Sequence, residues 1–197
     1  MTEMNEYGVG ITIKKWIPVI ILLSAVFIMG KSIWFAGHQP KVVSLKQAIE
    51  LCLPAALRWS PDARLAYAIS TESGEYAETG SQGTDGLRSN WNVIFVEETT
   101  GRNLLVAVRQ GRMSYTRELL MAFKQPIDLS GLRIDSTAAI QRLTDKNQPP
   151  NKVHYELVGQ QSLVLRVYQD YSNVNLRITS IDGATGEVIS QWYSAVN

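Results

Sequence analysis

Few residues in this chain could do nucleophilic or metal chemistry: among 197 residues there is one cysteine, Cys52, and two histidines, His38 and His154. A nucleophile needs a base to activate it and a third group to orient that base. None of these three residues stands in a local Ser, Cys or Asp constellation that would supply such partners. Cys52 falls on the apolar face of a helical pattern, where a thiol reads as a small hydrophobe. A lone cysteine excludes an internal disulfide, and with two histidines it falls short of a structural zinc site. The carboxylates lead no further. Glu97 and Glu98 are adjacent, so on a strand they face opposite sides, and in a turn they are solvated. Asp182 and Glu187 lack the D-x-[DN]-x-[DN]-G spacing of a calcium loop, and Asp182-Gly183 suits a hairpin turn. Gly80-Ser81-Gln82-Gly83 and Gly83-Thr84-Asp85-Gly86 lack the lysine and strand context of a phosphate loop, and read as flexible loop. No catalytic residue, metal ligand or cofactor is expected, and the chain reads as a non-enzyme; a hydrolase built from distant residues is the weakest rival.

Composition narrows the class. The chain is 45% hydrophobic and 19% charged, with 19 basic against 18 acidic side chains and a net charge of +1. Such an apolar fraction excludes wholesale disorder. The near-neutral charge gives no basic face for nucleic acid. The length allows one domain or two small ones.

The strongest local signal is the uncharged run WIPVIILLSAVFIMG, Trp16 to Gly30, resumed after Lys31 and Ser32 by Ile33 to Ala36. Counted to Ala36 it is 21 residues long, about the ~20 that cross a bilayer core. Lys31 near its end can snorkel, and Trp16 and Trp34 sit where interfacial aromatics are expected. A cleaved signal peptide is the rival, but bulky Phe27, Ile28 and Met29 stand where small residues belong, and no lipobox cysteine follows. Residues 16–36 are therefore predicted to be an uncleaved anchor. Lys14 and Lys15 favour a cytoplasmic tail, residues 1–15, and an extracytoplasmic C-terminal region.

Beyond residue 41 helical and strand periodicities alternate. Ser44-x-x-Gln47 has the form of a capping box, and Leu45, Ala48, Ile49, Cys52, Leu53, Ala56 and Leu57 mark one helical face. Pro54 predicts a kink or break near residues 50–53. Strand patterns follow at 63–69, 91–96, 104–108 and 113–116, with a Gly/Ser/Glu-rich loop at 71–89. Asp135 or Ser136 can then cap a helix carrying Ala138, Ala139, Ile140 and Leu143, stopped by Gln148-Pro149-Pro150. Four more strand patterns follow at 153–158, 163–169, 174–181 and 187–193. Ala48-Ile49 and Ala139-Ile140 lie 91 residues apart, while Trp91 and Leu163, like Asn103 and Asn175, lie 72 apart. The pattern reads as one α-then-β unit occurring twice, at 42–124 and 134–197, the first carrying the 71–89 insertion.

The ending NLRITSIDGATGEVIS, Asn175 to Ser190, resembles the closing hairpin of the PepSY family, and Ala139-Ile140 after Asp135-Ser136 is similar to that family's opening helix. Trp59 to Leu65, followed by Trp91-Asn92-Val93, resembles related exported PepSY-like domains. The first unit departs from the pattern, with Gln110-Gly111-Arg112 where a TGEV-type turn would stand. The resemblance implies an α+β fold: after the transmembrane helix, two cystatin-like units, each a helix packed on a small antiparallel sheet. It also implies an envelope location and a non-catalytic role.

The expected function is accordingly binding or regulation of another envelope protein, such as a peptidase, or of an extended peptide. The alternative is a structural or assembly subunit of a membrane complex. The membrane partner is the 16–36 segment, with Lys14, Lys15, Trp16, Lys31 and Trp34 at the interfaces. Tyr76 in the loop and Trp192 near the C-terminus are the candidates for partner contact, while Trp91 suits core packing better.

Overall fold

Ser44 closes a capping box at the start of helix α1 (Leu45–Trp59): its hydroxyl accepts from Gln47 N–H, and its own N–H donates to Gln47 Oε1 at 3.0 Å. Such a cap is worth about 1 kcal/mol. The break expected at Pro54 is absent, and α1 runs unbroken through it. Pro54 and Glu50 both lie on the exposed side, so the carbonyl deprived of its donor faces water. The opposite face buries Leu45, Ala48, Ile49, Cys52, Ala55 and Ala56. The structure is a computed structural model, and it describes residues 41–72, 81–120, 123, 125–145, 147–159, 162–172 and 175–195.

Four strands follow α1: β1 (Ala63–Ser70), β2 (Trp91–Glu97), β3 (Asn103–Arg109) and β4 (Arg112–Leu119). A short 3₁₀ turn, Leu129–Gly131, leads to helix α2 (Ser136–Leu143). Four more strands close the chain: β5 (Lys152–Gly159), β6 (Leu163–Ser172), β7 (Asn175–Asp182) and β8 (Val188–Ala195). All pair antiparallel in one eight-stranded sheet of order β4-β3-β2-β1-β5-β6-β7-β8. Each half is a meander, and β1 meets β5 through Tyr67↔Val158, Ala68↔Leu157 and Ile69↔Glu156. Period-two alternation sends Trp91, Val93 and Phe95, Leu104, Val106 and Val108, and Val153, Tyr155 and Leu157 into a single core shared with both helices.

This sheet corrects the expected architecture of a transmembrane helix followed by two helix-on-sheet units. The described residues hold one continuous sheet, one hydrophobic core and two α-helices, all within the unit Pro40–Asn197. The physical reason is the β1–β5 ladder, which fuses the two meanders by backbone hydrogen bonds, whereas separate units would each close their own core. Among the described residues no helix is long and apolar enough to cross a membrane. The expected span 16–36, with Lys14, Lys15, Trp16, Lys31 and Trp34, lies outside the described residues, as does Tyr76.

Residues 81–89 are not the flexible loop that their glycines suggested. Val43 and Arg88 exchange backbone hydrogen bonds at 3.0 and 2.9 Å, Val153 N–H donates to the Gln82 carbonyl at 2.8 Å, and the Tyr155 hydroxyl donates to the Gly83 carbonyl. Gly83 holds φ +77, and a Cβ there would fall on the Val153 carbonyl oxygen and within 2.8 Å of Arg88 Cδ. Both the left-handed backbone and the close approach require glycine. Gly83→Ala is therefore expected to destabilise the fold by about 2 kcal/mol or more. Urea denaturation checks this through a lowered midpoint at unchanged slope.

Candidate functional site

Two side-chain assemblies and one sheet edge stand out. The first joins the end of β1 to β5. Ser70 Oγ lies 3.4 Å from His154 Nδ1, and His154 Nε2 lies 2.8 Å from Glu72 Oε1. Glu72 also pairs with Lys152, and with Arg88 Nη2 at 3.7 Å. The Ser–His–Glu order has the outline of a nucleophilic triad, but Ser70 is only 3% exposed and its Oγ accepts the Tyr155 N–H at 2.9 Å. Its hydroxyl is spent inside the fold and is not presented to a substrate. The cluster staples residues 70–72 to β5. Local sequence gave no sign of it, because Glu72 and His154 are 82 residues apart.

The second assembly is built on Glu156, a carboxylate only 9% exposed in β5. It accepts from the Tyr67 hydroxyl at 2.7 Å, from the Tyr168 hydroxyl, and from Arg166 Nη1 at 3.2 Å. Burial alone would raise its pKa, but these donors hold it below the usual carboxylate range. Burial and the carboxylate push the Tyr168 phenol up to about 12. Every group here answers another within the protein, so the assembly is a structural knot on the sheet face opposite the helices.

Other residues singled out by sequence take ordinary places. Cys52 is fully buried, and burial pushes its thiol up to about 12, far from a nucleophile. Trp91 is buried, donating to the Val43 and Arg88 carbonyls at 3.2 Å. Glu97 is not solvated as a turn residue would be: it is buried and accepts from Arg102 Nε at 2.8 Å and Nη2 at 3.2 Å. The Arg102 hydrogen bonds, then Thr100's, lower its pKa to about 2. Asp182 caps the β7–β8 turn, accepting from Ala184 and Thr185 N–H at 2.8 and 2.9 Å. Among the described residues no group of three or more His, Cys, Asp or Glu could hold a metal ion.

Trp192 is different. It lies on β8, the last strand of the sheet, and is 58% exposed, beside Val188, Ile189 and Tyr193 at 51%, 53% and 66%. β8 reads VISQWYSA, without one charged residue. Along residues 188–193 its outer edge has no strand partner among the described residues. The opposite edge, β4, carries Arg112, Arg117 and Glu118, and Glu118 accepts from Trp59 Nε1 at 2.7 Å. Charge on an edge strand discourages further pairing, and its absence leaves a template. Near the C-terminal end of β8 a cleft of about 650 Å³ opens between the β6, β7 and β8 ends and the segment after α2. A second cleft of about 480 Å³ lies between α1 and residues 126–130.

No family model matches the chain, and no curated protein matches it. Among solved structures, a candidate lipoprotein from Clostridium difficile 630 is similar in fold, with a TM-score of 0.50 at 12% identity, over 73% of this chain and 90% of that one. The expectation of two PepSY-like, cystatin-like units is corrected accordingly, while the expected signal anchor, residues 16–36, lies outside the described residues. The described residues of this chain form a single eight-stranded sheet, and none of their helices is long and apolar enough to cross a membrane.

Acid should weaken the Glu72–His154 cluster. Burial and the Arg88 charge, with Lys152, lower the His154 pKa below 6.5 despite Glu72. The unfolded chain then takes up this proton first, so stability is complete above about pH 6.5 and declines as pH falls through the lower folded value. Burial raises the Glu72 pKa, but Lys152 and His154 outweigh it and hold it below 4.5, so a second loss follows below about pH 4.5. Urea melts from pH 7.5 to 4 should show this decline, and His154→Gln should flatten its upper part.

Proposed function

We propose that this protein is a non-catalytic binding protein of the cell envelope, and that its β8 edge receives an extended peptide segment of another protein as a ninth strand. One observation carries the reading: β8 is an uncharged edge strand that exposes Val188, Ile189, Trp192 and Tyr193. Strand addition draws its affinity from main-chain hydrogen bonds and its selectivity from alternate side chains on the two faces. Trp192 shares one face with Ile178, its cross-strand partner, and Tyr193 shares the other with Arg177. An aromatic anchor on each face suits a peptide with apolar residues on both sides. The incoming strand replaces water on a row of edge amides and carbonyls, and the exposed rings supply the apolar burial.

The envelope location is supported by the lipoprotein described for the structural neighbour.

A random-peptide display library screened against the full chain tests the reading. The expected ligands are uncharged, rich in β-branched and aromatic residues, and about five to eight residues long. Val188→Lys together with Trp192→Ser should weaken them at least about tenfold. N-methylation of alternate peptide amides should abolish binding when it blocks the paired edge. Equal binding by the N-methylated peptides would overturn strand addition, and self-association through β8 in place of peptide binding would make a second copy the occupant.

A further inference from the structure

The cleft beside the β6–β8 ends contains an arginine, Arg177, that no acid answers among the described residues. Arg177 Nε donates to Gln169 Oε1 and its Nη2 to the Leu143 carbonyl, both at 2.8 Å. Its guanidinium lies 5.1 Å from the centroid of the Tyr171 ring. Among the described residues it has no carboxylate partner within ion-pair distance. Neutral acceptors and a ring face therefore fix its orientation while leaving its charge and Nη1 uncommitted. A guanidinium held this way is preorganised for a carboxylate, because little further side-chain entropy is lost when the ligand arrives.

On the other wall, Asp145 accepts the Asn147 N–H at 2.8 Å through Oδ1 and has no cationic partner among the described residues. One cleft thus holds a fixed cation and an acid that do not neutralise each other. Tyr171 and Tyr193 line it between them. The polar accounting is also incomplete here: the Tyr171 hydroxyl is buried without a hydrogen-bond partner, and so is Nε2 of Gln169, the residue that orients Arg177. Buried polar atoms without protein partners are uncommon, and these two lie in and directly behind the wall that holds Arg177.

We infer that this cleft binds a small zwitterion, an amino acid or short peptide with free termini, whose carboxylate meets Arg177 and whose ammonium meets Asp145. The tyrosine rings take the side chain. At about 650 Å³ the cleft is within the range of small-ligand sites. The opposite charges leave it nearly neutral, which disfavours a simple anion or a simple cation. The site shares Tyr193 with the β8 edge, but its two charged groups, Arg177 and Asp145, lie off that strand, so their variants test the cleft apart from strand addition.

The test is isothermal titration of the purified full chain with L-phenylalanine and with the dipeptide Phe-Gly. Hydrocinnamate, which lacks the amine, and phenethylamine, which lacks the carboxylate, serve as half-probes. At least one zwitterion should bind saturably, and each half-probe at least about tenfold more weakly. Arg177→Gln should remove binding, and Asp145→Asn should weaken it about fivefold or more. Binding of the dipeptide alone identifies a short peptide as the ligand, and binding of phenylalanine identifies the free amino acid. Asp145 is exposed and outside the core, so its variant remains informative even where Arg177→Gln lowers stability. Hydrocinnamate binding as tightly as phenylalanine, with Asp145→Asn unchanged, would overturn the zwitterion assignment. Failure of both zwitterions to bind at millimolar concentration would overturn the site.

Discussion

The fold depends on a short seam in the middle of the sheet. β1 and β5 pair over three residue positions, whereas β5 and β6 pair over eight. This short ladder is reinforced on both faces. On one face the Tyr67 hydroxyl reaches across the seam to the Glu156 carboxylate. A slip of one residue would turn that carboxylate into the apolar core, so Glu156 fixes the register as well as the contact. On the helix side the two helix starts share their caps. Ser136 Oγ accepts the Leu45 N–H at 3.0 Å and donates to the Gly86 carbonyl at 2.7 Å. Asp135 Oδ1 accepts both the Ser136 N–H at 2.7 Å and the Lys46 N–H at 3.1 Å. One carboxylate thus sits at the positive ends of two helices, where a negative charge is favoured.

The seam changes the number of edges. Two separate four-stranded sheets would present four edge strands, and one eight-stranded sheet presents two. β4 is guarded by charge and by the Trp59–Glu118 hydrogen bond. β8 has neither safeguard. Fusion therefore concentrates whatever pairing capacity the sheet retains onto one strand, which makes its exposed aromatic residues worth explaining.

Local order was legible in the sequence and long-range order was not. Each of the eight strand patterns overlaps a strand, because period-two alternation and turn residues are local signals. Ser44 and Asp135 were legible as caps for the same reason. The continuous α1 was missed because a proline costs little where the orphaned carbonyl faces water. The union of the halves was hidden because Ala68 and Leu157, or Tyr67 and Glu156, are partners across 89 residues. The closing motif IDGATGEV has a local explanation: Asp182 accepts two turn amides, an Asx-type turn that any acidic hairpin can use. Trp192 was legible as a surface candidate, but Arg177 was not, since its meaning lies in the absence of an acid partner among the described residues.

The exposed end of the sheet follows from the unequal helices. α1 has 15 residues and α2 eight, or about 22 and 12 Å of helix. α1 packs against all four strands of the first half and covers Trp91, Phe95 and Leu104. α2 supplies Ser136, Ala139 and Ile140 to the core and ends at Thr144, before the run Gln148-Pro149-Pro150. Prolines disfavour continuation of a helix, both through the missing N–H and through the residue that precedes them. Among the described residues the helix side of the β7–β8 end consequently has no long helix to bury it, and there Tyr193 is exposed and the Arg177 cleft is open. A longer second helix would have given that region the same dry core as the first half. The early C-cap at Thr144 leaves in its place an uncharged edge and a charged cleft at one end of the sheet.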